Sequence, residues 1–256
     1  MNTATAADVR TASIRLKGED WEMSFKVTVP AGPTSRRMML PVLQELTNAV
    51  VGAAVQTVQD EGQSISCRKG CGACCRQLVP LSTTDARRVV ELVEEMPEPR
   101  RSTIRDRFAE ARRRLQEGGL LEKLSHTPDL VDGDERDLGL SYFWLGIPCP
   151  FLEEESCSIH PDRPIPCREY LVTSPAAECA RPTAETVHCV PLPMKVSRAV
   201  LRMEDPGPGA RAVPWVPLIL APDWAAAHPE EPPSRTGPEW VQLILAEMTR
   251  KPNSPE

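Results

Sequence analysis

Cys67-Arg68-Lys69-Gly70-Cys71-Gly72-Ala73-Cys74-Cys75 places four cysteines in nine residues. Five more follow at Cys149, Cys157, Cys167, Cys179 and Cys189, in a chain of 256 residues. Thiolates are strong, soft ligands for zinc and for iron–sulfur clusters, and both want four of them close together. Glycine at 70 and 72 lets the loop turn tightly and aim backbone N–H groups at sulfur. A helix starting near Cys71 would put Cys71, Cys74 and Cys75 on one face. Adjacent Cys74 and Cys75 are poorly placed to share one zinc ion. They suit different irons of one cluster, or one of them serves a second site.

The bulk composition narrows the setting. No apolar run approaches the roughly 20 residues needed to cross a bilayer, and Met1 to Arg10 lacks the apolar core of a secretory signal. The expected compartment is therefore the cytoplasm, and no membrane partner is expected. Thiols stay reduced in the cytoplasm, and dense cysteine there reads as metal or redox chemistry. An odd cysteine count also fits poorly with a full disulfide framework. The net charge of −6 argues against nucleic acid. The arginine-rich stretch Arg87 to Arg114 is interleaved with Glu91, Glu94, Glu95, Asp106 and Glu110, which reads as a solvated helix face laced with ion pairs.

Outward from the cysteines, an α+β chain is expected, with an N-terminal β-hairpin, helical support and an irregular Cys/Pro-rich metal-binding core. Residues 13–29 alternate apolar and polar side chains and read as the hairpin, turning near Lys17-Gly18-Glu19-Asp20. Met39, Leu43, Leu46, Val50, Ala54 and Val58 recur at helical spacing, so 38–60 reads as a helix with Pro41 in its first turn. Ser82 reads as an N-cap with Asp85 in the first turn, and Val89, Val90, Leu92 and Val93 form the buried side. Pro97 and Pro99 stop that helix. A further helix runs from about Arg100 to Gln116. Residues 126–140 read as a surface loop, and the apolar patch Tyr142 to Ile147 as a cover for the site. Segments 205–210 and 229–238 read as linkers, 239–250 as a last helix, and the tail from Lys251 as disordered. The chain divides accordingly into 1–62, a cysteine-cluster domain over 63–190, and a Pro-rich extension over 191–256.

The second cysteine group is stiffened by proline, from Pro148-Cys149-Pro150-Phe151-Leu152 to Cys157-Ser158-Ile159-His160-Pro161-Asp162-Arg163-Pro164-Ile165-Pro166-Cys167-Arg168. Four thiolates carry more negative charge than one divalent ion cancels. Arg68, Lys69, Arg76, Arg163 and Arg168 flank the cysteines and are candidates to offset it. His160 is the one histidine of this segment, and its plain reading is a polar packing residue rather than a ligand.

The combination C-x3-C-G-x-C-C, then P-C-P-F-L, then C-x-I-x-x-x-R-P-x-x-C-R, resembles the YkgJ-type cysteine-cluster family, also described as the CxxCxxCC zinc- or iron-chelating domain. The resemblance runs from about Cys67 to Glu178. It implies a ligand set of Cys67, Cys71, Cys74, Cys75, Cys149, Cys157 and Cys167, with Cys179 as an eighth member. Two departures stand out: three residues rather than two separate Cys67 from Cys71, and His160 stands where an aromatic is common. Cys189 lies beyond the resemblance and reads as a free buried cysteine. The function implied is the holding of zinc or an iron–sulfur cluster through thiolates. Related domains occur in a flagellin lysine N-methylase, so an iron–sulfur-dependent modifying enzyme, such as a protein lysine methyltransferase-like activity, is the alternative.

Other readings are weaker. Cys67-x3-Cys71-x2-Cys74 also matches the cluster motif of radical S-adenosylmethionine enzymes. Those need β-α units after the motif and an aromatic before the third cysteine, and here Ala73 holds that position. A structural zinc module would want a second clean C-x2-C pair. No nucleophile elbow, phosphate loop or H-E-x-x-H is present. No residue is assigned a catalytic role, and no protein partner can be named.

Overall fold

The computed structural model describes residues 8–18, 21–127, 134–183, 185–204, 213–228 and 235–250. The hairpin turn at 19–20, the linker 205–210, residues 229–234 of the linker expected over 229–238 and the tail from 251 lie outside the described residues; residues 235–238 of that linker are instead a short strand, Arg235–Thr236, and the start of the last helix at Gly237. The fold is α+β, as expected.

The hairpin pairs β1 (Val9–Lys17) with β2 (Glu22–Pro30), antiparallel, with Ile14 opposite Phe25 and Leu16 opposite Met23. Period-2 alternation puts Met23, Val27 and Val29 on one buried face. That face is covered by α1 (Arg36–Asp60), which follows the two-residue strand β3 (Pro33–Thr34). All six apolar positions expected on α1 are buried. Ser35, not a residue near 38, caps the helix by accepting from the Met38 N–H. Pro41 is therefore the sixth helical residue rather than part of the first turn. It sits on the exposed side, where water can reach the carbonyl it leaves without a donor. By length and composition α1 is apolar enough to cross a bilayer, which the sequence reading did not expect of any segment. In this fold its apolar stripe is spent on the core.

Helices α2 (Thr83–Glu95) and α3 (Arg100–Glu117) form as expected, α2 capped by Ser82 Oγ, which accepts from the Asp85 N–H. Val89, Leu92 and Val93 are buried, while Val90 is half-buried. The arginine-rich face carries the expected ion pairs, among them Arg88–Glu95, Arg101–Glu98 and Arg113–Glu110. After α3 and the short α4 (Leu121–Ser125), the fold departs from the sequence reading. Residues Asp134–Trp144 form α5, where a surface loop was expected up to residue 140. Leu138 and Tyr142, one helical turn apart, are buried with Ile147 and Phe151 in the core that α2 and α3 share.

The rest of the chain uses short elements. The two-residue strands β4 (Pro80–Leu81), β5 (Leu152–Glu153) and β6 (Ser156–Cys157) come first, with β5 and β6 paired as a tight hairpin. Helices α6 (Ile165–Arg168) and α7 (Val196–Arg202) follow. Strand β7 (Val216–Pro217) pairs with β4, and α8 (Ala221–Ala227) packs on α2. Strand β8 (Arg235–Thr236) pairs with β3 and leads into α9 (Gly237–Thr249), capped by a reciprocal Thr236/Glu239 box. The C-terminal helix thus returns to the N-terminal core. Trp240 is 1% exposed, and its Nε1–H donates to the Thr34 carbonyl at 2.8 Å. Gly237 permits this approach, since a Cβ there would lie 2.3 Å from the Pro30 carbonyl oxygen.

Two buried anchors join the helical layer to the cysteine loops. Asp85 Oδ1 accepts from the Ile165 N–H at 3.2 Å. Arg168 donates to the Pro161 and Arg163 carbonyls and to Asn48 Oδ1 on α1.

Candidate metal centre

Eight of the nine cysteines line one cavity of about 1190 Å³: Cys67, Cys71, Cys74, Cys75, Cys149, Cys157, Cys167 and Cys179. These are the eight of the expected ligand set. All nine cysteines are free thiols. Cys189 does not line the cavity and is exposed, which corrects its reading as a buried residue. It lies on a bridge pairing Val172 with Cys189, close enough to Cys67 and Cys179 to act on their thiols.

Short backbone links assemble the wall. Gly70, at φ +88°, bends the first loop. Its N–H donates to Ser156 Oγ at 3.1 Å and not to a sulfur as expected. Ala73–Arg76 is a 3₁₀ turn that begins after Gly72, in place of a helix from Cys71. Its Cys75 carbonyl accepts from the Cys149 N–H at 2.7 Å, which ties the first cysteine cluster to the second. The Leu152 N–H then closes a turn on the Cys149 carbonyl, and Leu152 pairs with Cys157 across the β5/β6 hairpin. That hairpin turns through Glu154 (φ 49°) and Glu155 (φ 54°), a left-handed pair without glycine. Arg76 holds the turn from the other cluster by forking onto both carboxylate oxygens of Glu155 at 2.9 and 2.6 Å. Cys167 rides on α6, which Asp85 and Arg168 fix. Cys179 sits on a 3₁₀ turn, Ala176–Ala180, packed on the Ala73–Arg76 turn.

The sulfurs have the hydrogen bonds that metal thiolates use. The Val172 N–H donates to Cys67 Sγ at 3.4 Å. The Phe151 and Ile159 N–H groups donate to Cys149 and Cys157, each two residues on. Burial pushes the Cys149 thiol up to about 12 and Cys179 up to about 11, and raises Cys67, Cys157 and Cys167 as well. Cys74 is the exception. The Cys75 thiol donates to it, and with help from the Arg163 charge it falls to about 7. Arg163 faces Cys157 too, and its Nε is buried without a partner among the described residues. Arg76 and Arg168, also expected as counter-charges, are instead spent on Glu155 and on backbone carbonyls. Arg68, Lys69 and the exposed His160 line the cavity.

Among the described residues no three Cys, His, Asp or Glu side chains converge on one point closely enough to hold a single ion. The donor set nevertheless fits a thiolate-bound metal: eight free thiols on one cavity, N–H donors on three of them, and the Arg163 charge facing Cys74 and Cys157. The far wall of the cavity was not legible in the sequence. It comes from α7 and from Val213, Trp215 and Leu218, more than 100 residues beyond the first cysteines. The aromatic patch expected to cover the site does not line it. Tyr142 is in the core and Trp144 is 63% exposed.

An α+β chain whose cysteine loops gather eight free thiols around one cavity has a donor set suited to a thiolate-bound metal. Residues 66–189 match the family model described as "CxxCxxCC: Putative zinc- or iron-chelating domain". The match over this segment supports the cysteine-cluster family and metal binding. The match extends to Cys189, eleven residues beyond the span of the motif resemblance. No curated protein and no solved structure matches the chain significantly.

Proposed function

We propose that the chain holds an iron–sulfur cluster through the thiolates of its cavity, in the reducing cytoplasm. One observation carries the choice over zinc. Eight thiols face one cavity, yet no three of them converge on a point. A zinc ion with bonds of about 2.3 Å needs its sulfurs roughly 3.8 Å apart. A cluster spreads its ligands over several irons and needs them further apart, around a space it can fill. Bound there, a cluster supplies electron storage or a Lewis-acidic iron. The residues of this chain hold it, donate N–H groups to its thiolates, and shield it with Phe151 and Trp215.

The test is the iron, zinc and acid-labile sulfide content of protein purified without oxygen, with an absorption spectrum. Iron with matching sulfide supports the proposal. Zinc without sulfide would overturn it and leave a structural or metal-handling module. A second reading, a cluster-dependent modifying enzyme of the lysine methyltransferase-like kind, is favoured by the part of the cavity beyond the thiols. Leu201, Val213, Trp215 and Leu218 line room there that a ligand set alone does not need. Protection of Trp215 fluorescence from a soluble quencher by a bound lysine peptide would support that reading. Unchanged quenching would count against it.

A further inference from the structure

We infer that the part of the cavity beyond the thiols binds a small organic anion. Lys195, Arg198 and Arg202 at α7 hold its carboxylate or phosphate group, and its apolar body lies against Leu201, Trp215 and Leu218. The inference concerns residues outside the thiol set and stands for either metal.

Charge is the first observation. The chain carries a net charge of −6. The cavity wall nevertheless holds six Arg and Lys side chains, Arg68, Lys69, Arg163, Lys195, Arg198 and Arg202, against two carboxylates, Glu155 and Glu169. Both carboxylates are already engaged. Glu155 takes the Arg76 fork, and Glu169 accepts from the Ser197 N–H and hydroxyl. Lys195 lies near Glu169, and Arg202 donates to the Glu247 carbonyl at 3.1 Å. None of the six cations forms an ion pair among the described residues.

Placement is the second observation. Helix α7 buries Val196, Ala199 and Val200. Lys195, Arg198 and Arg202, at i, i+3 and i+7, fall on another face, which lines the cavity. Leu201 stands among them, and Trp215 and Leu218 continue the wall. The cation that acts on Cys74 and Cys157 is Arg163, not one from α7. Arg163 thus serves these thiols, and the α7 face is left for another partner. A cleft with one sign of charge and apolar walls concentrates anions and strengthens their ion pairs. The apolar residues between the cations favour an anion with a hydrocarbon or ring body over a bare inorganic one. A lysine side chain would meet like charge here, so this wall and the second reading above predict opposite ligands.

The test is calorimetric titration of anaerobically purified protein with octyl phosphate, octanoate and octylamine, which share the hydrocarbon chain and differ in the charged group. Metal content and protection of tryptophan fluorescence from acrylamide are read in parallel. The expected result is binding of octyl phosphate or octanoate, no binding of octylamine, and protection that is lost in Trp215→Phe. The tighter of the two anions fixes the head group. In Lys195→Ala/Arg198→Ala, which alters two exposed side chains, the anion should bind about tenfold more weakly at unchanged metal content. Equal affinity for octyl phosphate and octylamine, unchanged anion affinity in the double variant, or no binding of either anion would overturn the inference. A double variant that loses metal while its anion affinity holds would show the α7 cations to be counter-charges of the metal centre, which overturns it too. Protein that holds no metal and still binds the anion would instead sink the thiolate–metal reading and leave this inference standing.

Discussion

Asp85 gives the sharpest single perturbation, because it is 2% exposed and still lies within the hydrogen-bonding frame that fixes Cys167. Burial lifts its carboxyl from 3.8 to about 6, against the opposing hydrogen bonds from Ile165 and Ser82 and the Arg168 charge. In the unfolded chain it titrates near its ordinary value. Between these two values the folded protein keeps a proton that the unfolded chain has lost, so stability falls as pH rises through the window and is level above about 6. Roughly two pH units at about 1.4 kcal/mol each put the full cost near 3 kcal/mol at neutral pH. Asp85→Asn removes the ionisation and keeps an oxygen for the Ile165 N–H, while its amide can donate to Ser82 Oγ. Urea denaturation of both proteins at equal metal loading, at pH 4.5 and pH 7.5, is the assay. The variant should be more stable by up to about 3 kcal/mol at pH 7.5 and by about 1 kcal/mol at pH 4.5. A gap that is constant with pH, or that widens toward acid, would refute the reasoning.

Three further outcomes follow from the same geometry. Gly72→Ala would bring a Cβ within 2.6 Å of Glu155 Oε2, 2.7 Å of Leu152 Cδ1 and 3.2 Å of Glu155 Cα. It should prise the Cys74/Cys75 turn from the β5/β6 hairpin, lowering stability by about 1–3 kcal/mol, and unchanged metal content and melting temperature would contradict that. Glu154→Asn relieves a left-handed residue that costs about 1 kcal/mol as glutamate. Its melting temperature should rise by a few degrees, whereas a fall would mean the turn is not strained. Because burial keeps most of the cavity thiols protonated at neutral pH, metal binding must release their protons. Affinity for cobalt(II) should therefore climb between pH 6.5 and pH 8, and a flat profile would argue against these thiols as ligands.

How much of this was legible in the sequence depended on the range of the interaction. The buried stripe of α1 and the Ser82 cap are set by residues within a few positions of each other, and they formed where the pattern put them. The cysteines were legible because ligand chemistry restricts the residue type so strongly that clustering in sequence foretold clustering in space. Helix α5 was missed because acidic residues and Gly139 masked its short apolar period, which only the shared core reveals as Leu138 and Tyr142. Pro41 was misplaced by one turn, since the cap at Ser35 competes with a start nearer Met38. The Glu154–Glu155 turn has no glycine or asparagine to announce it, and the Arg76 pair with Glu155 that holds it spans 79 residues. The second wall of the cavity is likewise a long-range product of α7 and Trp215. No local pattern carried it.

X-ray absorption at the metal edge of anaerobically purified protein tests the central claim most directly, since it reads the atoms bound to the metal. The expected result is a first shell of sulfur alone, about four per metal, at roughly 2.3 Å, lost when the cavity cysteines are replaced and kept in Cys189→Ser. A first shell of nitrogen and oxygen, or protein without bound metal, would contradict it.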